Sequence, residues 1–263
     1  MKVPRFVIDQ LSQQPGVNFK KQSLFYLALA YEPRSYSELA RKAGMPRGVI
    51  RATCKALSSI GWMKIEGSSR MVRPVAVIPP HLQQKMAEML REQYVVASNK
   101  GEFLMKRLLD VWIDNDNFVD NARPEFLVNP LTDQPLEYDR LYIEGVAFEF
   151  NGPQHHGPTE MYPDDKASKE AKARDLIKKS LSRDHGVNLV TVAASQLVPD
   201  EFEKLLPAEL PLNYVDKEGP YFQALAHLCK AYSAKAAARP GVSPPQESAQ
   251  RQQPATAGTA PKK

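Results

Sequence analysis

The stretch from residue 139 to residue 151 constrains the fold most, because it reads as a β-hairpin with an acidic residue on each strand. A strand-like segment precedes the Glu144-Gly145 turn, and a mostly apolar segment follows it. Antiparallel pairing about this turn places Asp139 beside Glu149, within cross-strand reach. Two carboxylates that close repel each other unless a proton or a cation lies between them. The hairpin therefore predicts a polar site at the end of two neighbouring strands.

The sequence around the hairpin predicts an α/β domain over residues 101–236 with helices on a small mixed sheet. In chain order, the expected elements are a helix over 102–113, loops over 114–135, strands over 136–143 and 146–150, a helix over 166–184, a strand over 187–193 and a helix over 219–236. A connecting helix over 81–100 precedes this domain. The Pro-, Ala-, Gln- and Ser-rich residues 237–263 are expected to be a disordered tail.

Residues 1–80 read as a winged helix-turn-helix domain. Apolar residues at helical spacing predict three helices, and a glycine-containing turn between two apolar segments predicts a hairpin after them. The expected elements are helices over 22–31, 37–44 and 46–60 and strands over 63–66 and 71–78. Together the two domains give a mixed α+β fold, in which the winged helix is joined by a helix to an α/β core.

The charge of the chain is divided unevenly and favours DNA as a partner of the first domain. Residues 1–80 carry 13 Lys and Arg against 4 Asp and Glu, whereas residues 81–232 carry 17 against 25. The third helix carries basic residues at i, i+4 and i+8, opposite its apolar face, and the hairpin adds two arginines. These candidate DNA-binding residues are Arg47, Arg51, Lys55, Arg70 and Arg73. The alternative is an ordinary solvated face.

Beyond residue 101, several motifs carry a resemblance to a known family. Asp139, then Glu149-Phe-Asn151-Gly-Pro-Gln154-His155, then Asp175-x-x-Lys178 and the strand up to Val192 resemble the restriction-endonuclease-like (PD-(D/E)xK) nuclease superfamily. The most similar branch is that of the very-short-patch repair nucleases. The resemblance implies DNA cleavage dependent on Mg²⁺ or Mn²⁺, with Asp139 and Glu149 as metal ligands. It also implies that Glu102 is a further ligand or orients a metal-bound water.

Asn151 departs from the pattern of that family, which has a lysine two residues after the second acid. Asparagine supplies neither a positive charge nor a base. The residues that can take over this role are Gln154, His155 and Lys178. The departure leaves open an alternative function, a DNA-binding transcriptional regulator whose nuclease fold is catalytically inactive.

The remaining features concern compartment and partners. Cys54 and Cys229 are the only cysteines, too few for a disulfide framework or a zinc site, so a cytoplasmic protein is expected. Zinc is disfavoured against magnesium because no cysteine pair or His-x₃-His spacing occurs near the hairpin. The apolar runs are too short to span a bilayer, so no membrane partner is expected. The expected partners beyond DNA are a second copy of the chain in a homodimer or, as a weaker alternative, the other subunits of a mobile-element or defence complex.

Overall fold

The computed structural model describes residues 3–30, 34–68, 71–152 and 165–238, which form a mixed α+β structure. This is the fold class predicted from the sequence. Over those ranges the strands form an antiparallel pair and a four-stranded mixed sheet. Of the predicted functional residues, Arg70, Gln154 and His155 lie outside the described residues. Residues 239–263, most of the predicted tail, lie outside them as well.

The N-terminal part consists of four helices followed by a hairpin. They are α1 (Arg5–Ser12), α2 (Phe19–Ala30), α3 (Tyr36–Ala43), α4 (Arg47–Ser59), β1 (Met63–Ser68) and β2 (Met71–Ala76). Helix α1 was not predicted, and α2 begins three residues before the predicted start at residue 22. Helix α3 begins with a capping box between Ser35 and Glu38 and ends at Gly44, whose φ of 61° suits glycine.

One apolar core holds these elements together. Ile50, Cys54 and Leu57 are fully buried on one face of α4, as the helical spacing predicted. The ring of Phe25 on α2 meets that of Trp62 edge to face at 5.4 Å between centroids. Because α4 buries only this face, its other face is left to solvent.

Helix α5 (Pro80–Val96) is more than the connecting helix that was predicted over residues 81–100. Its first half contributes Leu82 and Met86 to the N-terminal core. Ala87 and Leu90, further along the helix, belong to the core of the second part of the chain. Since α5 belongs to both cores, it fixes one part of the chain against the other.

The C-terminal part places its helices on a sheet. The elements are α6 (Lys100–Trp112), β3 (Phe118–Ala122), β4 (Tyr138–Tyr142), β5 (Val146–Asn151), α7 (Asp165–Asp184), β6 (Asn188–Ala193), α8 (Pro199–Glu203) and α9 (Pro220–Ala237). The prediction of loops alone over residues 114–135 was wrong, because β3 lies there and pairs with β4. The predicted hairpin about Glu144-Gly145 is confirmed.

The sheet has the order β3-β4-β5-β6, with only the β5–β6 pair parallel among the described strands. Strand β5 is covered on both faces. Phe148 and Phe150 pack into the core formed with α6 and α9, whereas Ala147 packs with Leu181 of α7 and Leu189 of β6. Since alternate residues of a strand face opposite sides, Glu149 and Asn151 lie on the α7 side.

A buried arginine joins three elements of this part. Arg140 on β4 is 1% exposed, and its guanidinium donates to Asp110 of α6 at 2.7 Å. It also donates to both carboxylate oxygens of Asp120 on β3, at 2.7 and 3.2 Å. The guanidinium carbon lies 3.8 Å from the centroid of the Phe118 ring. Two carboxylates and a ring therefore satisfy a charge that would be costly to bury alone.

We expect Arg140→Met to lower the free energy of unfolding by about 3 kcal/mol, because it leaves the buried Asp110 carboxylate with only the partly exposed Arg107 as a cation and removes the ion pair to Asp120. Chemical denaturation measures this. The matched control is Arg123→Ala, which removes an ion pair to Glu137 from an arginine whose side chain is 63% exposed. That control should cost less than about 1 kcal/mol. Equal losses in the two variants would contradict the assigned role of Arg140.

Candidate functional site

Asp139 lies at an irregularity in β4. On a regular strand, residues two apart face the same side, yet Arg140 binds α6 and Tyr138 binds α7. The Tyr138 hydroxyl lies 2.6 Å from Ser182 Oγ, which itself donates to the carbonyl of Lys178. Serine has a single O–H, so Tyr138 is the donor. The residues on either side of Asp139 are thus held by opposite layers of the structure.

The carboxylate of Asp139 binds β5. The backbone N–H of Phe150 donates to Asp139 Oδ2 at 2.7 Å, while the described β4–β5 ladder runs from Arg140 to Tyr142. A side-chain carboxylate therefore continues the contact between the strands beyond the ladder. This places Asp139 beside Glu149, as the hairpin register predicted.

Glu149 is paired with a lysine from α7. Lys178 Nζ lies 2.5 Å from Glu149 Oε1 and donates to the carbonyl of Glu137 at 2.7 Å. Both side chains of the pair are mostly buried, with exposed fractions of 11% for Lys178 and 23% for Glu149. Of the three candidate substitutes for the missing lysine, Lys178 is thus brought directly to the second acid.

Glu102 approaches the site from the first turn of α6. Its backbone N–H is capped by Asn99 Oδ1, and its carboxylate accepts from Asn99 Nδ2 at 3.1 Å. Lys106, one helical turn later, lies 2.5 Å from the same carboxylate. Lys106 also donates to Asn121 Oδ1 of β3 at 2.7 Å. Both oxygens of Glu102 are therefore engaged by neighbours on and around α6.

Lys106 and Asn121 were missed in the sequence. A signal for Lys106 was present, because it follows Glu102 at i+4, the spacing at which helical ion pairs form. Asn121 carried no such signal. Its φ of 56° places it in the left-handed region, and its side chain bridges Lys106 and Glu137. Asparagine adopts this region more readily than other non-glycine residues.

The two central acids hold their protons more tightly than ordinary carboxyls. Burial raises the pKa of Asp139 from 3.8 to about 6, and the charge of Glu102 adds to this, while the N–H of Phe150 opposes it. Burial raises the pKa of Glu149 from 4.5 to about 7, with Lys178 opposing and Asp139 adding to the rise. Near neutral pH this pair therefore favours an added positive charge, either a proton or a cation.

A cavity of about 30 Å³ adjoins Glu149 and contains unsatisfied oxygens. Glu149, Asn151, Asp175 and Thr191 are among its lining residues. Glu149 Oε2 and Asn151 Oδ1 are buried and have no hydrogen-bond partner. In the part of the chain described, no three or more His, Cys, Asp or Glu are grouped to hold a metal. A smaller set of protein ligands is sufficient for Mg²⁺ or Mn²⁺, because Mg²⁺ commonly binds one or two carboxylates and completes its coordination shell with water and phosphate oxygens.

The predicted DNA-binding residues lie on solvent-exposed surfaces where they are described. Arg47, Arg51 and Lys55 follow the exposed face of α4, and Arg73 is exposed on β2. Val49 lies among the α4 residues and is 41% exposed. The face therefore combines positive charge with a small apolar contact.

We expect the metal-free protein to lose stability as the pH rises from 5 to 8. Between pH 4.5 and about 7 the folded Glu149 keeps a proton that the unfolded chain has lost, so the free energy of unfolding falls with rising pH. Glu149 alone accounts for about 3 kcal/mol of this loss, and the raised pKa of Asp139 adds to it below pH 6. Glu149→Gln should flatten this dependence, measured by denaturation in EDTA, whereas the exposed-turn control Glu144→Gln should keep it. An unchanged pH dependence in Glu149→Gln would contradict the raised pKa.

The chain matches no protein-family model, no curated protein and no solved structure in the comparisons made with each. Among the residues that the structure describes, no helix is long and apolar enough to cross a membrane.

Proposed function

We propose that the chain is a DNA endonuclease that depends on Mg²⁺ or Mn²⁺, with its active site at Asp139 and Glu149. The observation that carries the proposal is the placement of two partly buried acids of raised pKa side by side, with a lysine from another element bound to one of them. Such a combination of carboxylates and a lysine is what the restriction-endonuclease-like pattern requires. We include in the proposal that residues 101–236 have this fold.

Asp139 and Glu149 would hold the metal. The carboxylate of Asp139 is fixed by the Phe150 N–H, and Glu149 Oε2 is buried and has no protein donor. When bound, the metal ion would neutralise charge on the scissile phosphate and lower the pKa of a water molecule. Glu102 would act from the α6 side by supporting or orienting the metal-bound water. Gln154 and His155, which follow β5 in the sequence, are proposed to assist.

Lys178 would replace the lysine that the family pattern has at position 151, where this chain has asparagine. Its ammonium group already lies at Glu149 Oε1, and its backbone is tied to β4 through Ser182 and Tyr138. A fixed ammonium beside the metal ligands stabilises the negative charge that builds up on a phosphate during hydrolysis. In this proposal the lysine comes from a helix instead of from the strand that carries the second acid. Its positive charge still lies beside that acid.

The N-terminal part would deliver the enzyme to duplex DNA as a winged helix. Helix α4 is the recognition helix in this proposal, and the β1–β2 hairpin is the wing. The exposed Arg47, Arg51 and Lys55 on α4 support it, since a helix in the major groove needs such a face. Arg73, with Arg70, would contact phosphates from the wing.

A second candidate is a DNA-binding transcriptional regulator without catalysis. The Lys178–Glu149 pair favours it, because an internal ammonium already neutralises one of the acids without a metal. In that case DNA binding would persist, and no divalent metal would produce cleavage.

We expect Asp139→Asn to lower metal-dependent cleavage by about 100-fold or more, because it removes a charge that holds the metal. Nicking of supercoiled plasmid with Mn²⁺, Mg²⁺ or EDTA measures this. The control is Asp133→Asn, which makes the same change at an exposed residue whose φ of 53° asparagine also tolerates. Plasmid binding by the wild-type protein without cleavage in any metal would instead support the regulator.

We expect simultaneous replacement by alanine of the three basic residues on the exposed face of α4 to weaken duplex binding and to reduce its salt dependence. Each lost phosphate contact should reduce the slope of log K against log salt by about 0.9. Fluorescence anisotropy at several salt concentrations gives both quantities. The test variant replaces Arg47, Arg51 and Lys55, and the charge-matched control replaces the exposed residues Arg183, Lys204 and Lys230. Equal losses in the two variants would contradict a specific role for α4.

A further inference from the structure

The unsatisfied polar atoms of the structure separate by chemistry. In residues 3–30, 34–68, 71–152 and 165–238, the buried side-chain atoms without a hydrogen-bond partner include two oxygens, Glu149 Oε2 and Asn151 Oδ1. The others are nitrogen donors elsewhere in the molecule. Both oxygens therefore occur at the candidate active site, on one strand and two residues apart. Buried acceptors of this kind are costly unless something donates to them or coordinates them.

The residues that carry the two oxygens line the same cavity. Residues 149 and 151 lie on one face of β5, and their partners on the parallel strand β6 are Thr191 and Ala193. Both side chains line the cavity of about 30 Å³ beside α7. That volume exceeds the roughly 10–15 Å³ that a single water needs, so it admits one small occupant.

The charge of the occupant follows from the other contacts of Glu149. The ammonium of Lys178 lies at Oε1, the second oxygen of the same carboxylate, and also donates to the carbonyl of Glu137. The unsatisfied atoms beside the cavity are the acceptors Glu149 Oε2 and Asn151 Oδ1, while Lys179, which also lines the cavity, is exposed on α7. Hard divalent cations bind carboxylate oxygens together with the carbonyl oxygens of asparagine side chains. A cation at this position would satisfy both orphan oxygens at once.

We propose that Asn151 Oδ1 is an oxygen ligand of the divalent cation, next to Glu149 Oε2. The inference rests on the proposed nuclease function and deepens it, because it gives Asn151 a role that is independent of the missing lysine. Position 151 supplies a metal ligand, and the positive charge comes from Lys178 on α7. The metal ligand and the positive charge thus come from two different residues, whereas a single lysine on the strand would not provide both.

The inference predicts opposite effects for two replacements of Asn151. Asn151→Asp adds a negative charge to the ligand and should tighten Mn²⁺ binding by about tenfold, whereas Asn151→Ala should weaken it by about 10–100-fold. Asn151→Lys should abolish binding, because a second ammonium would then face the cation. A lysine there would leave binding intact if position 151 only needed the residue of the family pattern.

The experiment measures Mn²⁺ binding to the full chain without DNA, from the loss of the free-ion electron paramagnetic resonance signal. Denaturation in EDTA establishes that each variant folds. If Asn151→Lys does not fold, the Asn151→Asp and Asn151→Ala variants decide whether Asn151 is a ligand. Asn188→Asp, at the exposed opposite end of β6, is the control for added charge and should bind as the wild-type protein does. Asp139→Asn reports on the proposed metal site itself.

The outcomes separate the inference from the function on which it rests. Weaker binding in Asn151→Ala with tighter binding in Asn151→Asp supports a ligand at position 151. Wild-type affinity in all three Asn151 variants, with binding lost in Asp139→Asn, overturns the inference and leaves the metal site standing. Absence of Mn²⁺ binding by the wild-type protein at millimolar concentration overturns both.

Discussion

The buried guanidinium of Arg140 is the interaction on which the rest of the site depends. It ties β4 to β3 through Asp120 and to α6 through Asp110. Tyr138, two residues earlier, is held by Ser182 on the opposite layer. Asp139 lies between these two anchors, so its carboxylate is directed to the N–H of Phe150. Buried ion pairs often add little net stability, but they can fix one arrangement of the elements that they join.

That arrangement leaves negative charge in the site that is only partly neutralised, and a catalytic cation can bind there. The sheet brings Asp139 and Glu149 together in a partly buried position, and burial raises the pKa of both. The cations Lys106 and Lys178 offset this negative charge from the two sides, each bound to one acid, Glu102 or Glu149. The orphan oxygens that remain call for a further positive group. A divalent cation meets that need and connects the fold to the proposed hydrolysis.

Local sequence patterns predicted the elements that are determined by interactions between residues close in the sequence. They failed for elements that depend on tertiary contacts. The β4–β5 hairpin was predictable because its turn and its apolar alternation lie within 14 residues. Strand β3 was missed because Phe-Val-Asp-Asn-Ala contains residues that disfavour strands, and its pairing depends on Asp120 meeting Arg140. That Asp139 and Glu149 lie side by side was predictable from the hairpin register. The contact of Lys178 with Glu149 could only be offered as one option of three, because it joins residues 29 positions apart.

The most direct test of the proposed active site is to locate a metal in it. Crystals soaked in Mn²⁺, with data collected at the manganese absorption edge, would show the ion as an anomalous difference peak. We predict a peak within coordination distance of the Asp139 and Glu149 carboxylates, on the side of Glu149 away from Lys178. A fully ordered site with no peak there, or a peak only at unrelated surface carboxylates, would contradict it.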